Sequence, residues 1–590
     1  MSLNYQHITL FAAFEGTTYV KEQAVGPVIT ESQAPSSGSW AWIVSDLTGF
    51  TNDPNFQFTL LNGNGTQARL TWDANAIDNA DWLASGGFEG SFTLILRHTG
   101  DSDIVYQVGV NPFQISLRHL DVAEFTVFKG QTGGGPAVSS GTYGFAVSPG
   151  SYTGIDSSLV LDFTSSGAIS VSDPGTVAWT EDGTFTLRIT PGAGPYCDIA
   201  GMPLHLRALT TTEFTVFKGQ TGGGPAVSSG TYGFAVSPGS YTGIDSSLVL
   251  DFTSSGAISV SDPGTVAWTE DGTFTLRITP STGPYCDIGG LGLHLRKLKS
   301  NDFTVFQGQT GGGDMLPETD PGTYSFAVAP GSYGGGIPAD LDLAFNNKGA
   351  ISVADPGSAV FSEDGTFTLR VTPTAGPYCD MGGLGMHLRR LSNTTFYWFD
   401  NQTAVDFTTI NGDPSGASYD WSSSDARVVI SNGGGTRIGE QITCSGVDAG
   451  TDVDFNLIIT DGTHPESHIP CTLKARHVTD PINITYSESS GSETVEVTGD
   501  TVTVWNFGTG VFSGIESVLS FNDGVGNTAS ISWGDDALIN DDSGTLTFTI
   551  QPNDASAPSC TVLVNVNISV TTNIVDITKP TVIDCTFEIV

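Results

Sequence analysis

The sequence predicts an all-β protein, a row of six β-sandwich domains forming an extended rod, and three observations carry that expectation. Across 590 residues there are 74 Gly and only 21 Lys+Arg, and short β-branched runs alternate with Gly and Pro where a helical protein would show long 3.6-residue periods. Residues 125–191 recur unchanged at 214–280, 89 positions on, so the chain contains a duplicated unit. Each unit offers about seven short strands separated by turn signals, the count of a two-sheet sandwich.

In the first copy the expected strands are 125–128, 144–147, 159–163, 168–171, 177–180, 184–190 and a closing Leu-His-Leu-Arg at 204–207. The Gly-Gly-Gly at 133–135, followed by Pro, reads as a turn between strands. A third copy starts at Phe303 and carries four extra residues around Asp314-Met315-Leu316-Pro317. The strand that follows the Gly turn recurs further out, as Gly90-Ser-Phe-Thr-Leu, Gly450-Thr-Asp-Val-Asp-Phe and Gly544-Thr-Leu-Thr-Phe. Six domains result: 1–120, 121–209, 210–298, 299–391, 392–478 and 479–590, with the middle three copies read as spacers. Their connectors, such as Asp121-Val-Ala-Glu124 and Thr210-Thr-Thr-Glu213, are too short and too poor in Gly and Ser to be flexible linkers. An 89-residue domain has an expected radius of gyration of roughly 12 Å, so six in line reach on the order of 180 Å.

The balance of 62 acidic against 21 basic residues gives a net charge of −41, which disfavours contact with a phosphate backbone and suits solubility and mutual repulsion between crowded copies. No run approaches the 18–20 apolar residues, roughly, that a membrane helix requires, and the start Met1-Ser-Leu-Asn-Tyr-Gln-His-Ile lacks a basic stretch followed by an apolar one. The expectation is therefore no membrane insertion and no secretory leader. Seven cysteines are spread thinly, with one in each central copy, which suits synthesis in a reducing cytoplasm. Cys444 with Cys471 and Cys560 with Cys585 are the pairs that share a domain, and either can be bridged or free.

Several groups of residues have side chains capable of chemistry. Gly-Pro-Tyr-Cys-Asp is followed eight residues after its Cys by His, giving Cys197 with His205, Cys286 with His294 and Cys379 with His387. A hairpin at the intervening glycines would set each pair face to face like part of a metal site, but fewer than four ligands are local, and the expectation is a buried thiol beside a strand histidine. Trp40, Trp42, Trp72 and Trp82 crowd the first domain, at a spacing that fits a core better than a sugar-stacking platform, and Trp179, Trp268 and Phe361 mark one aromatic slot. Asp535-Asp536, Asp541-Asp542 and Asp448–Asp454 do not follow a calcium-loop spacing and read as solvated turns. No nucleophile elbow, phosphate-cradling loop or His-Glu-x-x-His is present. The reading is therefore a non-enzyme with no catalytic, cofactor-binding or metal-ligating residues assigned.

Residues Trp421-Ser-Ser-Ser-Asp425, Val428-Val-Ile-Ser431 and Ala449-Gly-Thr451 resemble, in that order, the core pattern of bacterial immunoglobulin-like domains of group 2. The other domains share the immunoglobulin-like outline alone, through corners such as Glu181-Asp-Gly-Thr-Phe-Thr-Leu187. The resemblance implies a structural component of a tailed-bacteriophage virion, a tail or head fibre or decoration, made in the host cytoplasm and exposed on the particle. It would be homo-oligomeric, in contact with other virion proteins, and able to meet a host-surface glycan or receptor. In that reading 1–120 anchors, and specific contacts fall in the first, fifth and sixth domains. The alternative is a leaderless bacterial surface adhesin or surface-layer protein that binds through its terminal domains.

Overall fold

The computed structural model describes residues 112–354 without a break. Elsewhere between 7 and 571 it describes all but 16–17, 20–24, 31–39, 53, 62–64, 66, 73–76, 83–87, 99–104, 108–111, 355–356, 358, 404–407, 412–418, 432–437, 440, 461, 463, 488, 500–503, 516–518, 523–524, 535–540 and 553–558. It is almost entirely β, with one four-residue helix, Asn79–Trp82, among the described residues, and no helix there is long and apolar enough to cross a membrane. The chain forms tandem β-sandwiches divided into two compact units, Met1–Lys297 with Arg370–Met381, and Leu298–Leu369 with Gly382–Val590.

One repeat shows how the sequence makes a sandwich. In 210–298 the main sheet runs Gly233–Val236, Asp271–Thr279, Cys286–Arg296, with the first strand, Glu213–Phe217, parallel to the second half of the closing strand Cys286–Arg296. A hairpin of Val249–Phe252 with Ile258–Ser261 forms the facing layer. Alternation does the sorting: in Asp271–Thr279, Phe274, Leu276 and Ile278 point into the core while the residues between them do not. Leu250, Ile258, Val266 and Trp268 close it from the other layer.

Three expectations are corrected here. Residues 177–180 are not a strand, because Val177 and Trp179 are buried from an irregular segment ending in a turn, so their apolarity serves the core without a ladder. Gly133-Gly134 is a short strand instead of a turn: it pairs antiparallel with Cys286-Asp287 of the next repeat. A Cβ on Gly134 would come within 2.5 Å of the Tyr285 carbonyl oxygen, so glycine is needed for that approach. Finally, Gly201, between Cys197 and His205, makes a bulge in one strand, Cys197–Arg207, and no hairpin. Gly201 has φ +68, and the buried positions change from Cys197 and Ile199 to Met202, Leu204 and Leu206 across it. Cysteine and histidine thus sit at opposite ends of a strand, roughly 25 Å apart at 3.3 Å per residue.

The same parallel closure, first strand against closing strand, occurs six times among the described residues: His7–Ala12 with Phe113–His119, and likewise from Phe125, Glu213, Asp302, Thr395 and Ile482. The first strands also do something that a single sandwich does not require. In Phe125–Phe128 all four residues are buried, where alternation would leave two exposed. Phe125 and Val127 enter the core of their own sandwich, whereas Phe128 enters the core of the following repeat, its ring 5.5 Å from that of Tyr232. Phe11 packs in the same way on Tyr143 at 4.9 Å, and Phe399 on Trp505 at 5.5 Å, while Phe306 joins the core built by 392–478. Consecutive sandwiches within each unit are locked through a shared strand.

Truncating Phe128→Ala should therefore cost about 3–5 kcal/mol, in the range of large-to-small core changes, and the loss should fall on the repeat to which Phe128 does not belong. Hydrogen-exchange mass spectrometry can read this out on the closing strands, 197–207 and 286–296, which differ in sequence. Faster exchange in 286–296 than in 197–207 is expected.

Candidate functional site at the sandwich junctions

The Gly-Pro-Tyr-Cys-Asp motif is explained by the place where one repeat meets the next. Asp287 takes the Arg277 guanidinium in a two-point pair, Nε donating to Oδ1 at 2.9 Å and Nη2 to Oδ2 at 2.8 Å. Tyr285 lies beneath the guanidinium, its ring centre 3.8 Å from Cζ. Arg188, Asp198 and Tyr196 repeat the arrangement, as do Arg370, Asp380 and Tyr378. The clamp stiffens the segment on which the preceding repeat's Gly-Gly strand docks. The cysteine beside it is a junction hydrogen bond: Cys286 Sγ donates to the Thr126 carbonyl and Cys379 Sγ to the Thr215 carbonyl, both at 2.9 Å. Cys560 Sγ reaches the Tyr397 carbonyl at 3.5 Å, and Cys197 bonds to the backbone of Phe11.

In 392–478 the matching position is Ser467, whose Oγ donates to the Thr304 carbonyl at 3.1 Å, and not Cys471, which is a further core residue. Burial pushes the thiols of Cys197, Cys471 and Cys560 up to about 12 and raises those of Cys286, Cys379 and Cys444 as well. All six are free, so Cys444 and Cys471 are not bridged, and Cys585 lies outside the described residues.

The histidine of Leu-His-Leu-Arg belongs to a second recurring cluster. The leucines face inward, so histidine and arginine, two residues apart, face out together. Both meet the aspartate of the Glu-Asp-Gly corner: His205 Nδ1 donates to Asp182 at 2.8 Å, and Arg207 Nη2 pairs with it at 2.8 Å. His294 and Arg296 meet Asp271 likewise, and His387 and Arg389 meet Asp364. The other ring nitrogen turns to a carboxylate at the start of the first strand: Glu124 at 3.7 Å, Glu213 at 3.1 Å, Asp302 at 3.0 Å. The His205 hydrogen bond, against burial and aided by Arg207, holds the Asp182 carboxyl below its usual value. At Asp271 and Asp364, burial raises the pKa but is outweighed by the arginine and histidine, with the same net direction.

The third of these clusters differs in one respect. His464, in the turn before the closing strand Ser467–Val478, brings its Nε2 to 3.4 Å from Asp302 Oδ2. Asp302, His387 and His464 are the one group of three or more potential metal ligands among the described residues, their ligand atoms all within 4.8 Å of one another. Sequence reasoning missed it, because Asp302 and His464 lie in different domains and only the docking of one closing strand beside the previous first strand unites them. A cleft lined by Gln307, Arg390, Ser392, Thr395 and Pro470 adjoins the same junction.

The remaining candidates fall as follows. Trp42, Trp72 and Trp82 are core residues, with Trp42 Nε1 donating to the Gly65 carbonyl at 2.6 Å, and the side chain of Trp40 lies outside the described residues. Trp179, Trp268 and Phe361 occupy one buried slot. Asp452 and Asp454 are engaged by Arg476 and Thr472, and Asp535 and Asp536 lie outside the described residues. In the first domain the Ser116 hydroxyl sits 2.5 Å from both His7 Nε2 and Glu89 Oε2. Ser116 is buried, and the carboxylate bonds the serine and Arg118 instead of orienting the histidine, so the order of contacts is not that of a nucleophile–base–acid relay.

No protein-family model matches the sequence. No curated protein matches it either. Solved structures with similar outline include the I-band fragment I67–I69 of titin, 11% identical over 52% of this chain and 94% of that one, TM-score 0.13. The protocadherin GammaB4 extracellular domain is 11% identical over 96% of this chain and 100% of that one, TM-score 0.12. Drosophila N-cadherin EC1–4 is 9% identical over 61% and 99%, TM-score 0.13. Scores this low carry no argument about the present chain, whose sandwich class rests on its own strand pairing.

Two measurements check the junction chemistry. In a Cys585→Ser variant the six remaining thiols should stay unreactive toward Ellman's reagent at pH 8 until denaturant is added. The Asp182, Asp271 and Asp364 carboxyls titrate below their unfolded value of about 3.9, so their stabilisation is complete above that range and lost as pH falls through the lower folded pKa. Urea midpoints should drop below pH 4 or so, and the drop should be shallower in Asp364→Asn.

Proposed function

We propose that this chain is a non-enzymatic structural component of a tailed-bacteriophage virion, a fibre or decoration whose repeated sandwiches act as a rigid spacer. The observation that carries the spacer reading is the shared first strand. Within each unit, Phe11, Phe128, Phe306 and Phe399 sit in or against the core of the following sandwich, so a neighbour is part of each fold and not a bead on a tether. The word virion rests on the group 2 immunoglobulin-like motif at Trp421–Asp425, Val428–Ser431 and Ala449–Thr451, and the charge of −41 suits copies packed close together on a particle. Other virion proteins and further copies of this chain are the partners this reading implies. The non-repeated domains are where a host-surface glycan or receptor would be met.

Two experiments test it. Mass spectrometry and cryo-microscopy of purified virions should find the chain in stoichiometric copies; its absence from particles, with the chain on a bacterial surface, would establish the adhesin alternative. Small-angle scattering of the purified chain should give a maximum dimension on the order of 180 Å for six domains in line, and a compact particle would overturn the spacer.

A further inference from the structure

We propose that Asp302, His387 and His464 form a binding site for one divalent cation of the Zn²⁺ class, which pins the third repeat to the sandwich that follows it. Three features of the geometry carry this.

The first is convergence. His387 Nε2 stands 3.0 Å from Asp302 Oδ1, and His464 Nε2 stands 3.4 Å from Asp302 Oδ2, with the two ring centres 5.7 Å apart. Ligands around a four-coordinate zinc ion, at about 2.0–2.1 Å from the metal, are separated by similar distances. Asp302 Oδ1 is buried and accepts no well-formed hydrogen bond, so it stands as an acceptor toward the space shared with the rings. Two imidazoles and one carboxylate favour a borderline cation over Ca²⁺ or Mg²⁺, which prefer all-oxygen shells.

The second is the support behind each ring. His387 Nδ1 donates to Asp364 at 2.8 Å, and Asp364 is itself held by Arg389, whose side chain is buried. With Nδ1 donating to Asp364, Nε2, which faces Asp302, is the ring nitrogen placed to ligate an ion. His464 Nδ1 lies 3.3 Å from Thr304 Oγ1, which orients the second ring. Outer contacts of this kind are the usual means by which metal-binding histidines are aimed.

The third is what has been replaced. At the preceding junctions the segment before the closing strand reads Gly283-Pro284-Tyr285-Cys286 and Gly376-Pro377-Tyr378-Cys379; here it reads His464-Pro465-Glu466-Ser467. Histidine stands where the repeats carry glycine, and the tyrosine is gone. The arginine–aspartate pair is gone too, its ladder positions held by Ile458 and His468. The junction where a second imidazole meets the first-strand carboxylate is thus one from which the cationic clamp is absent. In the first two repeats a single histidine, His205 or His294, sits between two carboxylates, an ion-pair arrangement with too few nitrogen donors to hold a transition ion.

The test uses the full chain, stripped with a chelator and titrated with ZnCl₂ by calorimetry at pH 7.5, alongside His464→Gly, which restores the residue of the repeats. Wild type should bind one equivalent more than His464→Gly. His387→Ala should lose that same equivalent, and His205→Ala, at the corresponding place in the first repeat, should keep it. Asp364→Asn should weaken the site by about 10–100-fold through loss of positioning. With Co²⁺ in place of Zn²⁺, visible absorption bands characteristic of nitrogen ligation should appear in wild type and be absent from His464→Gly. Circular dichroism confirms that each variant is folded. Equal stoichiometry and equal Co²⁺ spectra in wild type and His464→Gly would overturn the proposal, as would displacement of the bound Zn²⁺ by equimolar Ca²⁺.

Discussion

The arrangement on which everything else depends is a strand buried on both faces. Phe-Thr-Val-Phe at 125–128 is covered on one side by its own closing strand and core and on the other by the sandwich that follows. An isolated sandwich with this strand would expose Phe128 and the outer edge of the main sheet, an apolar surface and an unpaired ladder at once. The neighbour removes both problems, filling the apolar face with its core and satisfying the edge with Cys286 and the Gly133-Gly134 pairing. The last sandwich supplies the contrast. In Ile482–Tyr486 burial alternates, and the outward positions hold the polar, exposed Asn483 and Thr485. Chemistry on the outer face of the first strand follows whether that face is covered.

The junction contacts are consequences of this placement. Because the first strand lies beside the start of the next closing strand, whatever stands at that start becomes junction chemistry. In the repeats it is a thiol whose pKa is raised by burial and a carboxylate held by arginine over tyrosine. The carboxylate that opens the first strand meets the histidine of its own closing strand, and His387 with Asp302 is the case in which the following sandwich adds a second ring.

Much of this was legible in the sequence, and the boundary is physical. Strands such as 184–190, where alternation is unbroken, announce themselves, as do the aromatic slot at 179, 268 and 361 and the duplication itself. Val177–Thr180 misled because an apolar run signals burial and not ladder pairing, and burial here comes from an irregular segment. Gly201 misled because a bulge and a hairpin require the same residue. The Gly-Gly strand and the Asp302–His387–His464 group were out of reach for a different reason: each joins residues of two domains that are more than 150 positions apart, Gly133 with Asp287 and Asp302 with His464. Local patterns describe each sandwich, but the pairing of one with the next is set by which edges and faces remain uncovered.

Such an architecture also explains where the chain is free to vary. The tyrosine, cysteine and aspartate of the motif touch the preceding repeat and lie at the start of the closing strand, ahead of the bulge that realigns the remaining residues with the core. A substitution at Tyr285 or Asp287 alters how two sandwiches meet without removing a side chain of the core that holds Phe274, Leu276, Leu293 and Leu295. The unchanged copies keep one junction chemistry, and the departure to His464-Pro465-Glu466-Ser467 coincides with the first sandwich that departs from the repeat. The junction, composed of residues from two domains, is therefore the natural unit of specialisation in a tandem chain of this kind. A new function can arise at it from a single side chain, because the opposing carboxylate and its supporting histidine are already in place.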